Sequence, residues 1–208
     1  MMESGGMLKL EKFSFGVGDR FAHQAGMQLA AFEMLLKDGV EVIPVWNKSN
    51  REHSFIGSEP HQVLAAAKAA VESRGWNRGW HVDADHIRLE TVDRFIGASD
   101  FFTIDVADSI GHAAEAKDVE GFMVKHPELV GKVEIAGIAG GFETTESGVR
   151  AVVEKYLLAV KDAGKIYRHV ATVKGADKMI AEISMDETDM PQTPVELLVI
   201  LVAIADEG

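Results

Sequence analysis

The chain has 208 residues, of which 47% are hydrophobic and 26% charged, so it can bury one sizeable core and is neither disordered nor fibrous. Its formal net charge of -12 argues against nucleic acid or an anionic membrane surface as a partner. Because it has no cysteine, disulfides, thiolate zinc sites and thiol nucleophiles are excluded, and any transition-metal site must use His, Asp and Glu.

Strand-like and helical segments alternate in the first half of the chain. A first strand is predicted to end near Gly16, and a helix follows over 27–36. The second strand, 40–46, leads through a polar loop, 47–60, into an alanine-rich helix from His61. A strand followed by a helix, repeated along the chain, is typical of a parallel α/β fold.

The third strand, 81–86, reads His-Val-Asp-Ala-Asp-His and carries two carboxylates and two imidazoles. Strand alternation predicts Asp83 and Asp85 on one face and His86 on the other. Four ionisable groups are costly to bury without partners, so a metal ion, a substrate or a hydrogen-bond network must compensate them. A capped strand end, in which the aspartates accept bonds from loop N–H groups, is the plainer alternative.

Two more βα units are predicted in the second half of the chain. The fourth strand, from Phe101, is followed by a long excursion over 105–150 and by a helix from Ser147. A fifth strand at 180–185 and a last helix at 195–205 complete the pattern. Acidic residues follow several strands, and the carboxyl edge of a parallel sheet is where such folds place their active sites.

The number of units leaves two architectures open. A closed (β/α) barrel takes eight units and about 250 residues, so the chain forms either an open parallel α/β sheet or a piece of a larger barrel. We favour the second, because the helix at 195–205 is apolar nearly all round and needs cover on more than one side. A homo-oligomer interface is the alternative explanation for this helix.

No targeting or membrane segment is predicted. Residues 1–7 lack the basic region and apolar run of a signal peptide. The longest apolar run, 197–205, is shorter than the ~20 residues that span a bilayer. We therefore expect a cytoplasmic protein.

Four short motifs occur in order at the strand ends: Phe15-Gly16-Val17-Gly18-Asp19-Arg20, Asp83-Ala84-Asp85-His86, Phe102-Thr103-Ile104-Asp105 and Asp186-Glu187-Thr188. With these motifs the chain resembles the tagaturonate/fructuronate epimerase family of hexuronate metabolism. The resemblance implies a divalent-metal-dependent, TIM-like (β/α) barrel. Residues 1–208 would then be one domain with about five of the eight βα units, truncated at the C-terminus. The expected cation is of the zinc, manganese or nickel class.

The substrates implied by the resemblance restrict the chemistry. D-fructuronate and D-tagaturonate differ at a hydroxyl-bearing carbon β to the ketone, and the carbonyl does not acidify its hydrogen, so simple enolisation cannot invert it. Oxidation by a nicotinamide would require Gly-x-Gly-x-x-Gly, and the segment 16–21 lacks the third glycine. The remaining route is retro-aldol cleavage, in which a metal ion stabilises the enediolate and a carboxylate accepts the hydroxyl proton.

The resemblance also implies roles for individual residues. Glu187 is expected to accept the proton, His86 to be the first metal ligand, and Asp85 to act on the substrate or orient a ligand. The residues expected to bind the sugar acid are Asp19, Arg20, Asp83 and Asp105. Turn aspartates, helix-capping residues and a surface ion pair are the alternatives. Histidines expected in loops or on helix surfaces, without a role, are His53, His61, His126 and His169.

Two other functions stay open at this point. Another metal-dependent sugar aldolase or isomerase would use the same enediolate-stabilising site and show the same acidic strand ends. A truncated scaffold without activity, binding only sugar acids or a partner chain, is the alternative from a different class. Substrate screening separates the first alternative from the epimerase.

Overall fold

The computed structural model describes residues 7–186 and 190–208. The strands in these ranges are β1 (Ser14–Gly18), β2 (Ile43–Ser49), β3 (His81–Ile87), β4 (Phe101–Asp105), β5 (Gly131–Val133), β6 (Phe142–Thr144) and β7 (Ile180–Ser184). The helices are α1 (Ala25–Lys37), α2 (Asn50–Ile56), α3 (Pro60–Arg74), α4 (Ala116–Lys125), α5 (Glu146–Lys174) and α6 (Pro194–Glu207). The chain divides into two compact units. Residues up to Ile104 with Ile166–Ile183 form the first, and Asp105–Lys165 with Ser184–Gly208 form the second.

Five strands form one sheet in the order β1-β2-β3-β4-β7. The pairs β1–β2, β2–β3 and β3–β4 are parallel. Backbone bonds from Ile180 N to Asp100 O (2.8 Å) and from Val106 N to Ser184 O (3.4 Å) give β7 the same direction as β4. The predicted parallel α/β class is therefore confirmed. The open parallel sheet fits this arrangement, which does not by itself establish a barrel.

One face of the sheet in the first unit is covered by α1 and α3. Trp46 and Val82, neighbours in the β2–β3 register, pack with Leu29 of α1 and Ala67 of α3 in the buried core. The next residues along both strands point to the opposite face, because side chains alternate along a strand. Asn47 and Asp83, which are neighbours in the register, therefore form a polar row that faces away from these helices.

The predicted polar loop over 47–60 was wrong, because β2 continues to Ser49 and α2 follows it directly. The Ser49 hydroxyl accepts a bond from Glu52 N at 3.3 Å, and the Glu52 carboxylate accepts one from Ser49 N at 3.2 Å. This reciprocal capping box satisfies two N–H groups at the start of the helix. Gly57 ends α2 in the left-handed conformation, with φ of 68°.

The second unit is built mainly from helices. The predicted excursion over 105–150 contains α4 and an antiparallel hairpin of β5 and β6. Phe122 of α4, Tyr156 of α5 and Ile200 of α6 belong to one buried apolar core. The side of α6 that carries Leu197 and Leu201 is exposed, at 46% and 53%. Within the described ranges, no helix combines the length and apolarity needed to cross a bilayer.

β1 and β7 are the two edges of the sheet, each with a single neighbouring strand among the described residues. Phe13 and Phe15 are 54% and 66% exposed at the β1 edge. An unpaired edge with exposed aromatic residues is a template for strand pairing, so we expect the isolated chain to self-associate. Sedimentation velocity should detect dimers or larger species, and Phe15→Lys should shift them toward monomer. A sharp monomeric boundary with a cooperative melt of the unchanged chain would contradict this expectation.

Candidate active site

β3 ends in a β-bulge at Asp85 and His86. Between the paired positions Ala84 and Ile87, β3 advances by three residues while β4 advances by two. His86 has φ of 51°, in the left-handed region that residues other than glycine seldom adopt. Bulges re-aim side chains beside active sites, and strained backbone clusters at functional positions. The strict alternation predicted for this strand therefore does not hold at His86.

The bulge brings the side chains of Asp85 and His86 together. Nδ1 of His86 lies 2.6 Å from Oδ1 of Asp85. The His86 side chain is 46% exposed and that of Asp85 is 20% exposed. A carboxylate on one ring nitrogen fixes the orientation of the imidazole and raises its basicity as a ligand. This geometry suits a metal ligand and also a group that transfers protons.

Asp83 is buried, and its carboxylate is bonded to β4. Thr103 donates to it twice, from the backbone N at 3.1 Å and from Oγ1 at 2.9 Å. Burial raises the pKa of Asp83 to about 7, the charges of Asp85 and Glu182 add to the rise, and the Thr103 bonds oppose it. Asp83 therefore changes its charge near neutral pH. A group whose pKa lies near the ambient pH can both donate and accept a proton.

Asn47 continues this polar row toward β1. Its register partners are Gly18 on β1 and Asp83 on β3. A Cβ atom at Gly18 would lie 2.6 Å from Oδ1 of Asn47, so a larger residue at position 18 would displace the amide. Gly18, the last residue of β1, thus makes room for a polar side chain at the strand ends.

Asp19 shapes the loop between β1 and α1. Its carboxylate accepts bonds from the backbone N of Phe21 (3.1 Å), His23 (2.5 Å) and Gln24 (2.8 Å). Burial on its own would raise the pKa of Asp19, but these three donors and the nearby His23 hold it below its usual value. Asp19 therefore stabilises this loop through backbone bonds, which differs from the surface ion pair considered as its alternative, and its binding to a sugar acid stays a prediction.

Arg20 forms its ion pair with α2. Its Nε lies 3.8 Å from Oε1 of Glu52, and its guanidinium lies 5.5 Å from the centroid of the Phe55 ring. Its side chain is 54% exposed. The guanidinium is therefore accessible in the loop that follows β1, and binding to a sugar carboxylate stays a prediction.

Of the other two predicted site residues, only Asp105 lies in the described part of the chain. Asp105 is the last residue of β4, and its Oδ1 accepts a bond from Ala107 N at 3.1 Å. Glu187 lies outside the described residues. β3 thus brings Asp83, Asp85 and His86 to one strand end.

A buried polar cluster that was not predicted from the sequence lies beside this edge. Lys48 and His53 are only 2% and 1% exposed, so the prediction of a loop or surface position for His53 was wrong. Nδ1 of His53 lies 2.8 Å from Oγ of Ser58. Burial, with smaller contributions from the charges of Lys48 and Arg94, lowers the pKa of His53 to about 4. The Ser-x-x-Glu spacing at 49–52 was the signal that predicts α2 and places His53 on it.

His81 lies at the opposite end of β3 from His86. Its Nδ1 is 2.9 Å from Asp100 Oδ2, and its Nε2 is 3.0 Å from Glu11 Oε2. Burial alone would lower the pKa of His81, but these two carboxylates raise it above its usual value. His81 is therefore part of an ionic cluster at the amino end of the strand and is separated from Asp85 and His86 at the other end.

The described residues do not assemble a metal site by themselves. In residues 7–186 and 190–208 there is no group of three or more His, Asp or Glu side chains that could hold a metal ion. His86, oriented by Asp85, fits the role of one ligand. A complete site requires ligands in addition to those described.

The chain matches proteins of known activity along most of its length. A model of the tagaturonate epimerase family matches residues 5–208. The tagaturonate/fructuronate epimerase of Thermotoga maritima is 27% identical over 194 residues, which is 88% of this chain and 39% of that protein.

Crystal structures of the fructuronate-tagaturonate epimerase from Cohnella laeviribosi share the fold. The complex with two glycerol molecules has a TM-score of 0.76 at 19% identity, covering 99% of this chain and 43% of that chain. The native crystal structure has a TM-score of 0.73 with the same identity and coverage. The chain thus spans about two fifths of the length of these relatives. Because the family model covers nearly all of it, the chain belongs to the tagaturonate epimerase family, which confirms the resemblance drawn from the four strand-end motifs.

Proposed function

We propose that this chain is part of an epimerase that interconverts D-tagaturonate and D-fructuronate. The observation that carries the proposal is the family match over residues 5–208, which includes the bulged Asp-Ala-Asp-His end of β3. Because the chain spans about two fifths of its relatives, we further propose that its sheet is the first part of a TIM-like (β/α) barrel. Residues outside this chain would complete that barrel.

The proposed reaction is a retro-aldol cleavage followed by re-addition. A carboxylate takes the proton from the hydroxyl on the carbon that is inverted, and the bond between this carbon and its neighbour α to the ketone breaks. The inverted carbon becomes an aldehyde, while the bonding electron pair moves into the ketone as an enediolate. The aldehyde turns over, the bond forms again on its other face, and the proton returns. Substrate and product are isomers, so no oxidant or reductant is consumed.

The proton transfer is assigned to Glu187, which follows Asp186 after β7. The sugar acid carries a carboxylate, and Arg20 offers an accessible guanidinium to bind it. Asp83 and Asp105 are assigned to the sugar hydroxyls. Asp83 suits this role because its pKa of about 7 lets it donate or accept a hydrogen bond near neutral pH. Asp19 contributes by holding the Arg20 loop in shape.

His86 is assigned as one ligand of a divalent cation. Its Nδ1 is bonded to Asp85, so the cation would be held through Nε2, with further ligands from residues outside those described. A bound cation of the zinc, manganese or nickel class would supply positive charge where the enediolate develops. Asp85 keeps the imidazole ring oriented and supports its basicity. Both residues are therefore expected to be needed for binding the cation.

Replacement of His86 tests the proposed metal site. In the intact protein, His86→Ala should lower metal content and epimerase activity together while the fold persists, because a ligand is lost. Elemental analysis measures the metal, circular dichroism measures the fold, and NMR follows D-fructuronate appearing from D-tagaturonate. His86→Asn is the matched control for backbone strain, since asparagine tolerates the left-handed conformation with φ of 51°.

Two results would contradict the assignments. If His86→Asn keeps both metal and activity while His86→Ala loses them, the backbone conformation matters and the imidazole is not a ligand. If the unchanged protein cleaves ketohexuronates to separate fragments, or inverts a different carbon, the epimerase assignment fails. The chain would then be part of another metal-dependent sugar aldolase or isomerase.

A further inference from the structure

Lys48 is a buried cation at the end of β2. The residue is 2% exposed, although burying an ammonium group is costly unless its N–H donors are bonded. Burial lowers the pKa of Lys48 from its usual value, and the Arg20 charge adds to this, while the carboxylates of Glu52 and Asp19 oppose it. The cost of burying this ammonium group must therefore be offset by the bonds it donates.

The bonds of Lys48 join two separate segments of the first unit. Its Nζ donates to the backbone oxygen of Arg20, in the loop after β1, and to Oγ of Ser58 at 2.9 Å, just beyond α2. Ser58 is fixed in turn, since its Oγ lies 2.8 Å from His53 Nδ1 and its backbone oxygen accepts from Arg94 at 2.6 Å. One ammonium group therefore links the loop after β1 to the loop after α2.

The loop after β1 has two different kinds of anchor. Asp19 holds it from within, by accepting bonds from the backbone N of His23 and Gln24. Lys48 holds it from outside, through the oxygen of Arg20. The Asp19 bonds fix the conformation of the loop, whereas the Lys48 bond fixes the position of the loop relative to β2.

Lys48 also connects the backbone of Arg20 with α2, the helix that the Arg20 side chain contacts. The guanidinium contacts Glu52 and Phe55 of α2, and α2 leads into Ser58. We propose that Lys48 is a positioning residue that places Arg20 for binding the carboxylate of the sugar acid. This inference rests on the proposed function, in which Arg20 binds that carboxylate.

Lys48→Met in the intact protein tests the proposal, because methionine keeps an unbranched apolar stem and removes the ammonium. The backbone N–H groups of Phe21, His23 and Gln24 should exchange with solvent about tenfold faster, as expected for the loss of a charge-assisted bond. The KM for D-tagaturonate should rise about tenfold while kcat changes by less than about twofold, because binding is weakened and the chemical groups stay in place. Lys48→Gln keeps a neutral donor and should show smaller changes in the same direction.

Two controls separate positioning from a general loss of stability. Lys68→Met makes the same change at an exposed position on α3 and should alter neither exchange nor KM. Ser58→Ala removes one acceptor of Lys48 but leaves the bond to Arg20, so it should destabilise the fold while the loop after β1 keeps its protection and KM stays unchanged.

The outcomes are distinct. Unchanged exchange of the loop in Lys48→Met, or equal loosening in Ser58→Ala, would overturn the positioning role, and so would a fall in kcat with KM constant. If neither Lys48 variant folds, the proposal is also overturned, because the lysine then serves the fold itself. If the unchanged protein converts no ketohexuronate, the proposed function fails, while the exchange comparison still decides whether Lys48 anchors the loop.

Discussion

Glu187→Gln is expected to lower epimerase turnover by ~100-fold or more, the usual scale for a lost general base, while metal and substrate binding persist. The physical reason is that an amide cannot accept the hydroxyl proton when the carbon–carbon bond breaks. Steady-state kinetics and calorimetric titration of the intact protein measure turnover and binding separately. Glu90→Gln is the matched control, because it makes the same change at an exposed residue after β3 and should leave both unchanged.

Isotopic labelling distinguishes the retro-aldol route from its competitors. A substrate deuterated on the inverted carbon should keep its label, with only a small secondary isotope effect, because that C–H bond is never broken. A large primary isotope effect, or turnover that depends on a bound nicotinamide, would transfer the chemistry to the removal of hydride or a proton at carbon. Near-normal turnover of Glu187→Gln would instead assign Glu187 to the loop before α6.

The buried His53 is expected to make the fold sensitive to acid. The pKa of His53 is about 4 in the folded protein and 6.5 for the unperturbed group, so only the unfolded chain takes up its proton between these values. The contribution of neutral His53 to the free energy of unfolding is therefore complete above pH 6.5 and is lost as the pH falls toward 4. It amounts to about 3 kcal/mol, from 1.36 kcal/mol for each unit of pKa. Denaturant unfolding at a series of pH values measures this loss.

His53→Gln should remove this pH dependence while keeping a polar group for Ser58. The difference between the variant and the unchanged chain is the informative quantity, because burial raises the pKa of Asp83 to about 7 and this contribution has the opposite sign. The same replacement at the exposed His61 is the control. An identical loss of stability toward acid in His53→Gln and in the unchanged chain would show that His53 does not cause it.

The positions of the strands and of the polar residues at their ends could be predicted from the sequence. The contacts that these polar residues make could not. Strand and helix periodicities are local, and they placed β3, β4 and β7 within about two residues of their observed bounds. The bulge at His86 was not predictable, because it depends on the register with β4, which lies far along the chain. The bond from Lys48 to Arg20 joins positions 28 residues apart, and no local pattern reports it.

The segment over 47–60 shows a different kind of error. Its polar composition favoured a loop, yet the capping box at Ser49 and Glu52 starts a helix of seven residues. His53 was assigned no role because a polar residue in a polar segment is usually exposed. Its burial arises from tertiary contacts with Ser58 and with the ring of Phe95, 5.6 Å away.

The ionic cluster at the amino end of β3 has a practical consequence for fusions and shortened versions of the protein. Glu11 precedes β1, and its carboxylate lies 3.0 Å from Nε2 of the buried His81. A Cβ atom at Gly79 would lie 1.9 Å from the same carboxylate. An affinity tag joined ahead of residue 7 leaves this contact in place. Trimming past Glu11 would leave a buried imidazole short of one partner, so the useful starting point for a minimal version lies before that glutamate.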